Sequence, residues 1–169
     1  MREMQKTVIL SDQDIRLKIR RIAHQIHEAN LEEDKVFIAG VAKSGYRIAC
    51  LIKEELEKIS GREVKLGELQ VNKKDLFAPY KFSFDMDELS GHSVVLVDDV
   101  LNSGAVLIYA VRYLLSVPLK RLTTAVLVDR NHKRYPVKVD YKGLSLSTSL
   151  HNHVQVVFAG DGTIRAELS

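Results

Sequence analysis

The stretch Val94-Val95-Leu96-Val97 is apolar on both faces of an extended chain and runs straight into two carboxylates, Asp98 and Asp99. Strands of this kind belong inside parallel sheets, where helices cover both faces. A turn of small residues follows, Asn102-Ser103-Gly104, and then a helical pattern over about residues 104–116, closed by Pro118. In open α/β sheets ligands sit beyond the carboxyl ends of the strands. A helix start there offers unpaired N–H groups and a positive dipole end, which suit a phosphate. Ser103 adds a hydroxyl donor, and Gly104 lets the backbone approach a ligand. The paired acids can accept hydrogen bonds from two adjacent ribose hydroxyls, or hold Mg²⁺ through water. The alternative is a plain strand–turn–helix with a solvated acidic pair.

The rest of the chain repeats the same alternation. Ser11 and Asp14 have the spacing of a capping box, and Ile15, Ile19, Ile22, Ile26 and Ala29 recur at helical spacing over about residues 12–30. Val36-Phe37-Ile38-Ala39-Gly40 reads as a buried strand. Ile48, Ile52, Leu56 and Ile59 mark a second helix over about residues 45–60, which Gly61 ends. Further strands are expected at about 63–71, 122–128, 141–143 and 154–158, with residues 72–89 an irregular excursion. Strands alternating with helices predict a mainly parallel α/β sheet flanked on both faces, in a single domain of 169 residues.

Two other strand ends carry chemistry. Gly40-Val41-Ala42-Lys43-Ser44-Gly45 has P-loop spacing, but Tyr46-Arg47 stands where Lys-Ser/Thr must follow, which excludes a Walker nucleotide site. The turn can still hold a phosphate with its amides and Lys43; it can equally be a tight turn with an exposed lysine. Val128-Asp129-Arg130-Asn131-His132-Lys133-Arg134 offers three cations, Arg130, Lys133 and Arg134, for anionic or aromatic groups, and one imidazole, although a lone loop histidine is commonly surface polarity. The six histidines show no metal-binding spacing.

A net charge of +3 permits anionic ligands without implying nucleic acid. Cys50 is the only cysteine, so no intrachain disulfide forms. The opening Met-Arg-Glu-Met-Gln-Lys has no apolar signal-peptide core, and no apolar run nears the ~20 residues of a membrane span. A cytoplasmic location is expected.

The run from Val94 to Gly104 resembles the signature of type I phosphoribosyltransferases, which bind phosphoribosyl pyrophosphate (PRPP). The resemblance to the PyrR family of bifunctional pyrimidine-operon attenuators and uracil phosphoribosyltransferases covers nearly the whole chain. Its ordered blocks are Ile19-Arg20-Arg21-Ile22-Ala23-His24-Gln25-Ile26, Gly67-Glu68-Leu69, Ala125-Val126-Leu127-Val128-Asp129-Arg130-Asn131-His132 with Pro136, Val139-Asp140-Tyr141-Lys142-Gly143, and Ser147-Thr148-Ser149. The resemblance implies the type I fold with a small hood. It also implies Mg²⁺-PRPP as substrate, a nucleobase acceptor (most directly uracil) and a homo-oligomer. By residue, it implies that Asp98 and Asp99 hold the ribose hydroxyls. Asn102, Ser103, Gly104, Ala105 and Val106 would hold the 5′-phosphate, and Val41, Ala42, Lys43, Ser44 and Gly45 the pyrophosphate. Val128, Asp129, Arg130 and His132 would border the base, and Lys73 and Lys74 stand in the family's catalytic loop.

The phosphate loop departs from the family, reading Ser103-Gly104-Ala105-Val106 where Thr-Gly-Arg-Thr is usual. The pyrophosphate loop reads Ala42-Lys43-Ser44-Gly45 for Lys-Thr-Arg-Gly, and Asn72-Lys73-Lys74-Asp75 replaces Tyr-Arg-Asp-Asp. Each phosphate hydrogen bond that goes unreplaced costs about 1–3 kcal/mol, so weakened turnover is expected. Two other function classes stay open. One is a nucleotide-sensing RNA-binding regulator, reading RNA phosphates through Arg16, Lys18, Arg20, Arg21, His24 and His27 on the first helix; the bland reading of that face is a solvated basic surface. The other is a purine phosphoribosyltransferase.

Overall fold

A computed structural model describes residues 5–169. The signal-peptide reading falls largely on residues 1–4, outside that range. Among the described residues, twelve helices and strands make up the regular structure. In chain order they are β1 (Thr7–Leu10), α1 (Asp12–Ala29), β2 (Lys35–Val41), α2 (Ser44–Ser60), β3 (Glu63–Gln70), β4 (Lys81–Phe82), β5 (Ser93–Leu101), α3 (Ala105–Leu114), β6 (Arg121–Asp129), β7 (Tyr141–Ser145), β8 (Val154–Phe158) and β9 (Ile164–Leu168).

Six strands form a sheet in the order β4-β3-β2-β5-β6-β7, parallel except at β4. The pleat of β5 explains its sequence. Val95 and Val97 face α1 and α2 with Ile15, Ile22, Ile48 and Ile52, whereas Val94 and Leu96 face α3 with Leu107, Ala110 and Leu114. Both faces are therefore dry, and an alternating strand would expose half its side chains to the wrong medium. The capping box is formed: Ser11 Oγ accepts from the Asp14 amide at 3.2 Å and Asp14 Oδ2 accepts from the Ser11 amide at 2.9 Å. Gly61 closes α2 at φ 62°, where a side chain would be strained.

The structure corrects several boundaries. β5 continues through both acids to Leu101, so Asp98 and Asp99 lie within the strand and not after it. α3 stops at Leu114, short of Ser116. The 72–89 excursion contains β4 and a 3-10 turn at Met86–Leu89. β1 and β9 were not expected. β9 pairs antiparallel with β1 on one side and β8 on the other in a separate three-stranded sheet, the hood of the fold. β1 and β9 are short, four and five residues, with Arg165 and Glu167 inside β9. His151 and His153 sit in the loop before β8, not on a strand.

Candidate active site

The carboxyl end of β5, the N-terminus of α3 and the edge strand β8 enclose a cleft of about 240 Å³. Its floor carries Asp98 and Asp99, one side the 102–107 turn, and the opposite wall His153, Val154, Gln155 and Val156. Ser44, at the start of α2, and Lys73, from the 72–80 excursion, complete the rim.

Asp98 is 5% exposed, and its Oδ1 accepts from the Asp99 amide at 2.8 Å. Burial and then the neighbouring Asp99 carboxylate push it well above the usual carboxylate range, while the Lys73 ammonium partly offsets them. A site that disfavours its own negative charge gains from a ligand bringing hydroxyl donors or a cation. Asp99 is half-buried, with Oδ1 accepting from the Val100 amide at 2.8 Å. Gly45 packs against this pair: a β-carbon there would lie 2.8 Å from Asp98 Oδ1 and 2.9 Å from Asp98 Cα.

Gly104 takes φ 86°, and a β-carbon on it would meet Val137 Cγ1 at 2.8 Å. Glycine is thus required twice over, by conformation and by space. The helix start has no side-chain cap, so the first amides of α3 stay available apart from Ala105 N–H, which donates to Ser103 Oγ at 3.2 Å. Ten residues of aligned peptide dipoles stand behind them. Val106 lines the cleft and also packs on the α3 side of the core.

The structure brings Lys73, Asp98, Asp99, Asn102, Ser103, Gly104, Ala105, Val106 and Ser44 to one cleft. Lys74 is exposed outside it, its amide donating to Asn72 Oδ1 at 3.0 Å. Val41 is buried at the end of β2, Ala42 N–H donates to Leu69 O at 2.9 Å, and Lys43 points to solvent. These three and Gly45 flank the cleft without lining it.

The expected base-binding residues have other partners. Val128 is fully buried in the core on the α1 side. Asp129 is 1% exposed and pairs with Lys142 Nζ at 3.3 Å. Arg130 donates to Asn102, Thr148, Ser149 and Asn152, and the His132 ring bonds Thr148 O. None of the four lines the cleft; a strand end marks where a loop begins but not where its side chains turn. Nothing in the sequence points to Gln155, and His153 is considered there only as a metal ligand and set aside. Both are exposed polar residues on or beside an edge strand, and only the position of that strand gives them a role.

Among the described residues, no group of three or more His, Cys, Asp or Glu side chains could hold a metal. Mg²⁺ is commonly held by one or two carboxylates together with substrate phosphates. The Asp98–Asp99 pair fits that arrangement, because its burdened carboxylate gains from an added cation.

Residues 6–159 match the family described as "Phosphoribosyl transferase domain". The chain belongs to this family. Phosphoribosyltransferases of known structure share its fold. A hypoxanthine-guanine phosphoribosyltransferase from Bacillus anthracis aligns at TM-score 0.70 with 18% identity, covering 84% of this chain and 83% of that one. The Trypanosoma cruzi hypoxanthine phosphoribosyltransferase aligns at 0.71 with 17% identity, covering 82% and 80%. Curated relatives are nearer in sequence. The "Bifunctional protein PyrR" of Streptococcus thermophilus is 34% identical over 157 residues, 91% of each chain. That of Bacillus cereus is 32% identical over 165 residues, 90% of each. The chain is accordingly a phosphoribosyltransferase.

Proposed function

We propose that this phosphoribosyltransferase takes Mg²⁺-PRPP and transfers ribose 5-phosphate to a pyrimidine base, uracil. The observation that carries the reading is the single cleft that joins the Asp98–Asp99 pair to the open N-terminus of α3 and to Lys73. Asp98 and Asp99 accept from the ribose hydroxyls, and the 102–106 amides with Ser103 hold the 5′-phosphate. Ser44 and the 41–45 turn take the pyrophosphate side, with Lys73 opposite. The bond from the anomeric carbon to pyrophosphate breaks as a bond to a base nitrogen forms, and the base N–H proton is released. The magnesium ion supplies charge neutralisation of the pyrophosphate. The protein's own share is placement, exclusion of water and charge stabilisation of the leaving group. Uracil is favoured over purines by the relatives of 32–34% identity over nine-tenths of the chain, against 17–18% for the purine enzymes. Pyrophosphate release from Mg²⁺-PRPP with uracil, hypoxanthine and guanine in parallel tests this; release with a purine alone would overturn it.

A second reading, an RNA-binding regulator, is favoured by the exposed side chains of Arg16, Arg20 and His24 along α1. Part of that charge is already engaged. Arg16 pairs with Asp12 at 2.8 Å, Arg20 with Glu55 at 3.6 Å, and Arg21 donates to Lys142 O and Gly143 O. RNA binding through this face would weaken steeply with salt. Binding that is salt-independent, or unchanged in Arg20→Ala, would exclude it. We further infer a homo-oligomer, supported by Phe77, 77% exposed, in an aromatic row with Tyr109 and Tyr135. No helix among the described residues is long and apolar enough to cross a membrane, and the lone cysteine accords with a cytoplasmic setting.

A further inference from the structure

Arg130 is 8% exposed, and among the described residues it has no carboxylate partner. A buried guanidinium needs its donors satisfied, and here neutral acceptors satisfy them from two separate parts of the chain. Nη1 donates to Asn102 Oδ1 at 2.7 Å. Nε donates to Thr148 Oγ1 at 3.2 Å, and Nη2 to Asn152 O at 2.5 Å and to Ser149 O at 3.4 Å. The register of the sheet explains the first contact. Leu101 lies opposite Asp129, so the next residues, Asn102 and Arg130, leave parallel strands side by side. The rest follows from the 146–152 connector, which wraps around the guanidinium and ends one residue before His153, where the far wall of the cleft begins.

The tie is reinforced on both sides. Arg130 N–H donates to Leu101 O at 3.2 Å, and the Arg134 and Tyr135 amides donate to Ser103 O at 2.7 and 3.3 Å. The His132 ring holds Thr148 O. Asn152 Oδ1 in turn accepts from the Ser149 amide at 3.1 Å. One charged fork therefore spans the phosphate turn and the root of β8.

We propose that Arg130 is a positioning residue that couples the 102–106 turn to the wall bearing His153 and Gln155, so that base recognition depends on it more than phosphate recognition does. This rests on the cleft's role in phosphoribosyl transfer. Guanidinium geometry is the reason a lysine cannot substitute: one ammonium cannot reach Asn102, Thr148 and Asn152 together.

Calorimetry with two probes, ribose 5-phosphate and UMP, tests the proposal on the wild type, Arg130→Lys and Arg130→Met. UMP binding should weaken at least about fivefold more than ribose 5-phosphate binding in both variants. In turnover, the KM for uracil should rise while that for PRPP stays nearly unchanged. If both variants fail to fold, Thr148→Ala removes one acceptor and leaves the charge; it should show the same selective loss, about twofold. Equal weakening of both ligands, or of neither, in a folded variant overturns the coupling. A wild-type protein that binds neither probe overturns the function assigned to the cleft, and this inference with it.

Discussion

The Asp98 carboxylate lies directly against the bare Cα of Gly45, where a β-carbon would stand 2.8 Å from Oδ1 and 2.9 Å from the Asp98 backbone. The start of α2 is thereby seated against the carboxyl end of β5, the strand that already pairs with β2. Gly45→Ala must push the start of α2 away from Asp98, since the crowding atoms include backbone. It should destabilise the protein by about 1–3 kcal/mol and weaken PRPP binding in the same variant. Chemical denaturation and calorimetry measure the two effects; an unchanged midpoint would show that the α2 start yields freely.

Asp98→Asn separates the charge of this group from its shape. Burial, then the Asp99 carboxylate, raises Asp98 above its ordinary value of 3.8. The native state thus holds the proton more tightly than the unfolded chain does. Below 3.8 both states are protonated and Asp98 costs nothing; as pH rises through the raised value, stability falls and the loss then levels off. In the ligand-free protein, Asp98→Asn should be close to neutral near about pH 4 and stabilising at neutral pH, while PRPP binding is lost. Thermal melts across that range supply the check, and a gain that shrinks with rising pH would contradict the assignment.

Lys73 and Lys74 are adjacent in sequence, yet only Lys73 faces the cleft. If the lysine charge acts on the leaving pyrophosphate as proposed, Lys73→Ala should lower kcat by roughly 10–100-fold. Lys74→Ala should change it by less than about twofold, as expected of an exposed surface charge. Equal losses in steady-state assays would mean that the excursion closes with a different lysine inward.

Val106→Thr asks whether the altered phosphate loop has lost a donor. Valine and threonine are nearly isosteric, and Val106 borders the cleft. A new charge-assisted bond to the 5′-phosphate would tighten PRPP binding by roughly 5- to 30-fold with an unchanged melt. Because Val106 also touches the core, a hydroxyl turned inward would instead lower the melting temperature. Weaker or equal binding in a stable variant would show that the 5′-phosphate does not sit at this turn.

Local chemistry by itself determined the strand–acid–turn–helix unit from Val94 onward, the Ser11–Asp14 capping box, the Gly61 terminus and the doubly covered character of β5. Each of these follows from residues within a few positions of one another, or from a periodicity that only one environment satisfies. Tertiary structure decided the rest. β1 and β9 are only four and five residues long, too short for a periodicity to declare them, and are specified by pairing over more than 150 residues of chain, Thr7 against Leu168. That pairing, with β8, brings His153 and Gln155 over the acids. The direction of Arg130 and His132 was likewise out of reach. Both follow a strand end, as a base-binding residue would, but the strand register and the wrapped 146–152 connector turn them inward to hydrogen-bond acceptors. A side chain at a loop start has several outlets of similar local energy, and only the acceptors delivered by distant segments select among them.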